Sequence, residues 1–102
     1  MAKMLFKTNG DALSALADTL KAVAHTERLA IIHLLCSSRT SALEVKSIYK
    51  SLNLTQSTTS RHLSMMKKGG LLKREVNKGK TYYSFNLENR AAVCLKEMLE
   101  GS

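Results

Sequence analysis

A mainly α chain with a small β-hairpin is the fold class this sequence predicts, and three observations lead there. Apolar residues recur at helical spacing from Leu13 to Leu52 and again from Leu87 to Met98. Between Leu71 and Asn86 the period changes to two, on either side of Asn77-Lys78-Gly79-Lys80, a run of turn residues. The chain has no Pro and only 5 Gly, so little in it interrupts a helix.

At 102 residues the chain is expected to be one domain, with residues 1–10 as a short N-terminal arm and 11–100 as the folded unit. Its 44% apolar share is ordinary for a globular protein and argues against disorder. A chain this short buries a thin core, so an apolar face at either end would be stabilised by a partner subunit. The longest apolar stretch, 29–36, is broken by His33 and is too short to cross a bilayer. The first ten residues lack the apolar run of a signal peptide, so a cytoplasmic protein is expected. Two cysteines, Cys36 and Cys94, do not make a disulfide framework.

The first helix is expected over 11–23, where Leu13, Leu16, Ala17, Leu20 and Val23 share a face. The second spans about 26–36, with Leu29, Ile32, Leu35 and Cys36 on one side, and ends at the polar run 37–40. Ser41 and Glu44 form an S-x-x-E pattern, a capping box that predicts the third helix to begin there. Val45, Ile48, Tyr49 and Leu52 would line its inner face, and Asn53 suits a left-handed stop. Thr55 is the candidate N-cap of a fourth helix that runs to Lys68 and halts at Gly69 and Gly70. Two helices joined by Asn53, Leu54 and Thr55 are a helix-turn-helix signature. Strands over 71–76 and 81–86 follow, and a last helix over about 88–99 carries Leu87, Ala91, Cys94, Leu95 and Met98 as one stripe. About five helices plus a two-stranded wing make a winged helix-turn-helix.

Charge then points to a partner. Residues 46–80 hold nine Lys and Arg against the single acid Glu75, whereas the rest of the chain holds seven of each sign. The whole net charge of +8 therefore lies in the middle third, which offers one segment to a polyanion. The fourth helix reads Thr55-Gln56-Ser57-Thr58-Thr59-Ser60-Arg61-His62-Leu63-Ser64-Met65-Met66. With Thr59, Leu63 and Met66 turned to the core, Gln56, Ser57, Thr58, Ser60, Arg61 and Ser64 remain outside. Hydroxyls suit phosphates and base edges, an amide suits adenine and a guanidinium suits guanine. Gln56 and Arg61 are the expected base readers. A solvated polar face is the plain alternative, but Ser and Thr are poor helix formers and seldom serve that purpose. Lys73, Arg74, Lys78 and Lys80 of the hairpin, with Lys67 and Lys68 of the adjoining helix, would place a basic wing and helix end against the DNA backbone or minor groove.

Other residues carry plainer readings. His62, beside Leu63, reads as a hydrogen-bonded structural histidine. His33 and Cys36 could share a helix face, but two ligands do not make a metal site. Cys36 and Cys94 lie on apolar stripes, where free cysteine acts as a small hydrophobe; a redox switch pairing them is the alternative. Tyr82, Tyr83 and Phe85 alternate, which opposes an exposed platform for RNA bases. There is no Gly-rich phosphate loop, no paired carboxylates in an apolar setting and no activated nucleophile. No enzyme, cofactor, metal, membrane or small-molecule substrate is expected.

Five segments resemble the ArsR/SmtB family of bacterial winged-helix repressors: His25-Thr26-Glu27-Arg28-Leu29-Ala30-Ile31-Ile32, Glu44-Val45, Thr55 to Leu63, Lys68-Gly69-Gly70-Leu71-Leu72 and Gly79-Lys80-Thr81-Tyr82-Tyr83-Ser84. The likeness spans roughly residues 12–86. It implies a homodimer paired through its first and last helices, binding an imperfect inverted repeat in double-stranded operator DNA and blocking transcription. It also implies DNA-reading positions at Gln56, Ser57, Thr58, Ser60 and Arg61, with Lys78 and Lys80 in the wing. The third helix lacks the family's metal-sensing cysteine motif and the last helix lacks its histidines. Some relatives sense oxidants or sulfide through one cysteine in the second helix and one in the last, where Cys36 and Cys94 stand. Leu13, Leu16, Leu20, Ala91, Leu95 and Met98 would then meet across a two-fold axis. A winged-helix module that docks an acidic protein partner is the competing function.

Overall fold

Local signals set most helix ends. In the computed structural model, which describes residues 10–40 and 42–100, the order is α1 (Gly10–Val23), α2 (Thr26–Ser37), β1 (Ala42–Glu44), α3 (Val45–Leu52), α4 (Gln56–Lys68), β2 (Leu72–Asn77), β3 (Lys80–Phe85) and α5 (Arg90–Glu100). The expected arm lies outside the described residues except for Gly10, which opens α1.

Asn53 stops α3 in the left-handed conformation at φ 55°, ψ 44°. Thr55 then caps α4, its Oγ1 accepting from the Thr58 amide at 3.1 Å. At the other end of α4, the Gly70 amide donates to Lys67 O and the Leu71 amide to Met66 O, both at 3.0 Å. Gly70 adopts φ +82°, so this is a Schellman stop, and Leu71 and Met66 are both fully buried where it closes. Gly69 is needed for closeness rather than for its φ: a Cβ there would stand 2.6 Å from the Ala22 Cβ on α1.

The start of α3 differs from the capping-box reading. Ala42, Leu43 and Glu44 are extended and pair antiparallel with Ser84, Tyr83 and Tyr82, so the sheet has three strands in the order β1-β3-β2. α3 begins only at Val45, and Glu44 caps it without a side-chain hydrogen bond. Pairing with β3 holds 42–44 extended, so the helix starts only after them. Ser41 lies outside the described residues.

β2 and β3 pair from Leu72↔Phe85 to Asn77↔Lys80, which leaves a two-residue turn at Lys78 and Gly79. Both have positive φ, 51° and 78°, the handedness that matches strand twist in a hairpin.

The core gathers Ile31, Ile32 and Leu35 of α2, Ile48 of α3, Leu63 and Met66 of α4, and Leu71, Leu72, Tyr83 and Phe85. On α2 it is Ile31 that is buried, while Leu29 is 46% exposed. This helix is apolar almost all round, so periodicity alone does not choose its inner side. On α5 the core side is Ala92, Leu95 and Leu99, one step round from the expected stripe. Leu87 and Met98 of that stripe point outward, 63% and 64% exposed.

Candidate nucleic-acid interface

Burial of Thr59, His62, Leu63 and Met66 orients α4. With that face inward, Gln56, Ser57, Ser60, Arg61, Ser64, Lys67 and Lys68 are exposed and Thr58 is half-buried. The Thr59 hydroxyl is buried without a hydrogen-bond partner among the described residues.

His62 anchors the helix from beneath. Its Nδ1 accepts from Arg28 Nε at 3.1 Å, so the neutral ring carries its proton on Nε2 and donates to Glu27 Oε1 at 2.8 Å. Arg28 also donates to Ala22 O at 3.2 Å and to Met65 Sδ at 3.0 Å, which links α1, α2 and α4 through one guanidinium. His62 is thus the hydrogen-bonded structural histidine its position suggested.

His25, Glu27 and His62 bring three potential ligand atoms within 4.8 Å of one another. The polarity of their hydrogen bonds opposes a metal. His25 Nδ1 accepts from the Glu27 amide at 3.1 Å, and His62 Nδ1 is capped by a donor, not by an acceptor. A ligating histidine needs its second nitrogen to donate outward.

The wing turns Arg74, Lys78 and Lys80 to solvent. Between α3, the first turns of α4 and the wing lies a cleft of about 400 Å³ that brings Gln56, Ser60, Arg74 and Lys80 together. Lys46 and Tyr49 of α3 line it as well. Neither was a sequence candidate for the site, although Lys46 belongs to the basic window. Ser57, Arg61, Ser64, Lys67 and Lys78 lie outside this cleft on the exposed faces of α4 and the turn. Lys68 faces a separate hollow beside Asp18 and Lys21 of α1. None of Arg61, Lys67, Lys68, Arg74, Lys78 and Lys80 meets a carboxylate partner among the described residues. Their charge is therefore available to phosphates.

The base of α4 is tied to the helices on its far side. Thr19 Oγ1 of α1 lies 3.3 Å from Gly69 O, and Asn89 Nδ2 donates to Gly70 O at 2.7 Å. The Asn89 Oδ1 accepts from the Ala91 amide at 2.9 Å, so the residue that holds the end of α4 also caps α5. On those two helices Leu13, Leu20 and Met98 are 49%, 54% and 64% exposed. Leu16 is half-buried, Leu95 packs against its own core, and Ala91 is buried in the monomer.

Cys36 and Cys94 are free, half-buried thiols. Burial, reinforced by the Glu100 charge, pushes the Cys36 thiol up against the smaller opposing pull of Lys96. Lys96 and Glu100 themselves pair at 2.6 Å, which raises the lysine. Cys94 precedes Lys96 by two residues, about 200° around the helix, so it faces away from the side of α5 that lies beside Cys36.

Residues 25–74 match the family model for bacterial regulatory proteins of the arsR family. Over 70 residues the chain is 43% identical to the transcriptional repressor PagR of Bacillus anthracis, a span of 69% of this chain and 68% of that protein. The crystal structure of PagR superposes with a TM-score of 0.75 at 35% identity, covering 89% of this chain and 99% of that one. The solution structure of Mb0332 from Mycobacterium bovis, a homodimeric winged helix-turn-helix DNA-binding domain, has a TM-score of 0.75 at 25% identity and covers 99% and 88%. HlyU of Vibrio cholerae superposes at 0.67 with 26% identity, covering 95% and 100%.

Proposed function

The chain belongs to the ArsR family of bacterial regulatory proteins, and on that premise we propose that it is a dimeric transcriptional repressor that reads double-stranded DNA with α4. The observation that carries this reading is the outer face of α4: polar, basic, capped at its start and, among the described residues, without a carboxylate partner. Gln56 and Arg61 read base edges in the major groove. Ser57, Thr58, Ser60 and Ser64 divide between bases and phosphates, and Lys67, Lys68, Arg74, Lys78 and Lys80 hold the backbone. Lys46 and Tyr49 join Arg74 in the cleft between helix and wing. PagR is a repressor, which favours repression over activation here.

Pairing follows from the other surface. Leu13 and Leu20 with Met98 supply exposed apolar area on α1 and α5, half-buried Leu16 adds to it, and Ala91 and Leu95 back it from below. The homodimeric Mb0332 domain supports this arrangement. Two-fold pairing would set the recognition helices about 34 Å apart, one DNA turn, over an inverted repeat. Residues 11–100 would then hold both the DNA-binding and the dimerisation surfaces. Among the described residues no helix is long and apolar enough to cross a membrane.

Selection of binding sites from random duplexes, followed by fluorescence anisotropy on the winning sequence, tests the proposal. A palindromic consensus with saturable binding is expected. Absence of saturable binding at physiological salt would instead favour a module that docks an acidic protein.

A further inference from the structure

Between the C-terminal end of α2, the sheet and α5 lies a cavity of about 660 Å³, outside the DNA-facing surface. Its size falls in the range of small-molecule sites, roughly 300–1,000 Å³. One wall is apolar: the edges of Leu35 and Phe85, both core residues, and Leu87, 63% exposed. The lining also holds three cations, Arg39, Lys73 and Lys96. Two of these cations are already engaged. Lys73 lies 3.7 Å from Glu88, and Lys96 lies 2.6 Å from Glu100, both acids also lining the cavity. Arg39 has no carboxylate partner among the described residues.

We propose that this cavity is an effector site for a small organic monocarboxylate with an apolar body. The carboxylate sits on the Arg39 guanidinium, whose planar fork matches it with two parallel hydrogen bonds. The body lies against Leu35, Phe85 and Leu87 and removes apolar surface from water. Glu88 and Glu100 in the rim repel denser negative charge, so a single charge on an apolar frame fits better than a phosphate-rich ligand. The lining is drawn from the end of α2 and the loop after it, from β2 and β3, and from α5. A molecule there touches both the helix proposed for pairing and the strands that carry the wing. A ligand that contacts both can favour one relative placement and so change DNA affinity.

Isothermal titration of the full chain with phenylacetate, and separately with octanoate, tests the site without DNA. Saturable binding is expected for at least one of them. The uncharged phenylacetamide, and the variant Arg39→Gln, should each bind at least about tenfold more weakly. Leu87→Ser should weaken the acid as well. Unchanged thermal unfolding of both variants would show that the fold is intact. No saturable heat from either acid up to about 10 mM, or equal affinity in Arg39→Gln, overturns the site. A second arm adds the acid to the anisotropy titration on the selected duplex. The midpoint should move for the parent chain and stay for Arg39→Gln; binding of acid with no such movement overturns the effector role. Because the first arm contains no DNA, a failure there leaves the DNA-binding proposal standing.

Discussion

The outward faces of α4 and the wing differ from those of α1 and α5 in the kind of surface they expose. The former exposes Gln56, Ser57, Ser60, Arg61, Ser64, Arg74, Lys78 and Lys80, all polar or cationic. The latter exposes Leu13, Leu20 and Met98. Phosphate neutralisation releases counterions and is therefore governed by salt, whereas apolar pairing depends on area removed from water. Asn89 and Thr19 join the two regions, since both touch the glycine stop at the end of α4. The surfaces proposed for DNA and for pairing thus differ in their physics and are connected through the end of one helix.

Salt should separate them most sharply. If a dimer neutralises about 6–10 phosphates, duplex affinity falls about 10³–10⁵-fold between 50 and 200 mM salt. The dimer equilibrium, followed by sedimentation over the same range, should move far less. Parallel losses in both would break the distinction.

Leu20→Asp should act on the neutral surface alone. A carboxylate in an apolar interface should cost about 3 kcal/mol or more of pairing, read as a shift to monomer in sedimentation. The far-ultraviolet dichroism of the monomer should be unchanged, because Leu20 is 54% exposed in the single chain.

Arg61→Ala should cost about 1–3 kcal/mol of specific binding and relax preference at one base position in a repeat of the site selection. Dimerisation should be untouched. Loss confined to non-specific binding would assign Arg61 to phosphate instead.

Asn89→Ala tests the connection. It removes the bond to Gly70 O and the cap on α5 together, so urea unfolding should show a loss of about 1–2 kcal/mol. Specific DNA affinity should fall further than this stability loss alone explains, since the end of α4 is freed.

The smallest effect belongs to Lys78→Ala at the wing tip. All duplex sequences should weaken alike, and the slope of log affinity against log salt should drop by about 1. A change in sequence preference would move Lys78 from backbone to base contact.

Much of the fold was legible because its signals act within a few residues. Asn53 as a left-handed stop, Thr55 as a cap and Gly70 as the end of α4 each depend on backbone groups three to five positions away. The outer face of α4 was legible for the same reason: Leu63 and Met66, with Thr59, mark its inner side by spacing alone. β1 was not. The pattern Ser41-Ala42-Leu43-Glu44 satisfies a helix start locally, and pairing of Ala42 with Ser84, forty-two positions later in the chain, overrides it. The inner side of α5 was not legible either, because Ala91, Ala92, Leu95, Met98 and Leu99 allow two adjacent stripes, and only contact with the core selects Ala92, Leu95 and Leu99.

The amino-acid order by itself determined the stop of α3, both ends of α4, the hairpin turn and the concentration of positive charge, since each arises from neighbours along the chain. Tertiary contact alone decided that Arg74 and Lys80 would share a cleft with Gln56, that Arg28 would hold His62, and that Arg39 and Leu87 would line one cavity. Those groups come from separate elements, and their meeting follows from how α2, α4, α5 and the sheet pack on Ile31, Leu63 and Phe85, a result of volume and shape that no local pattern encodes.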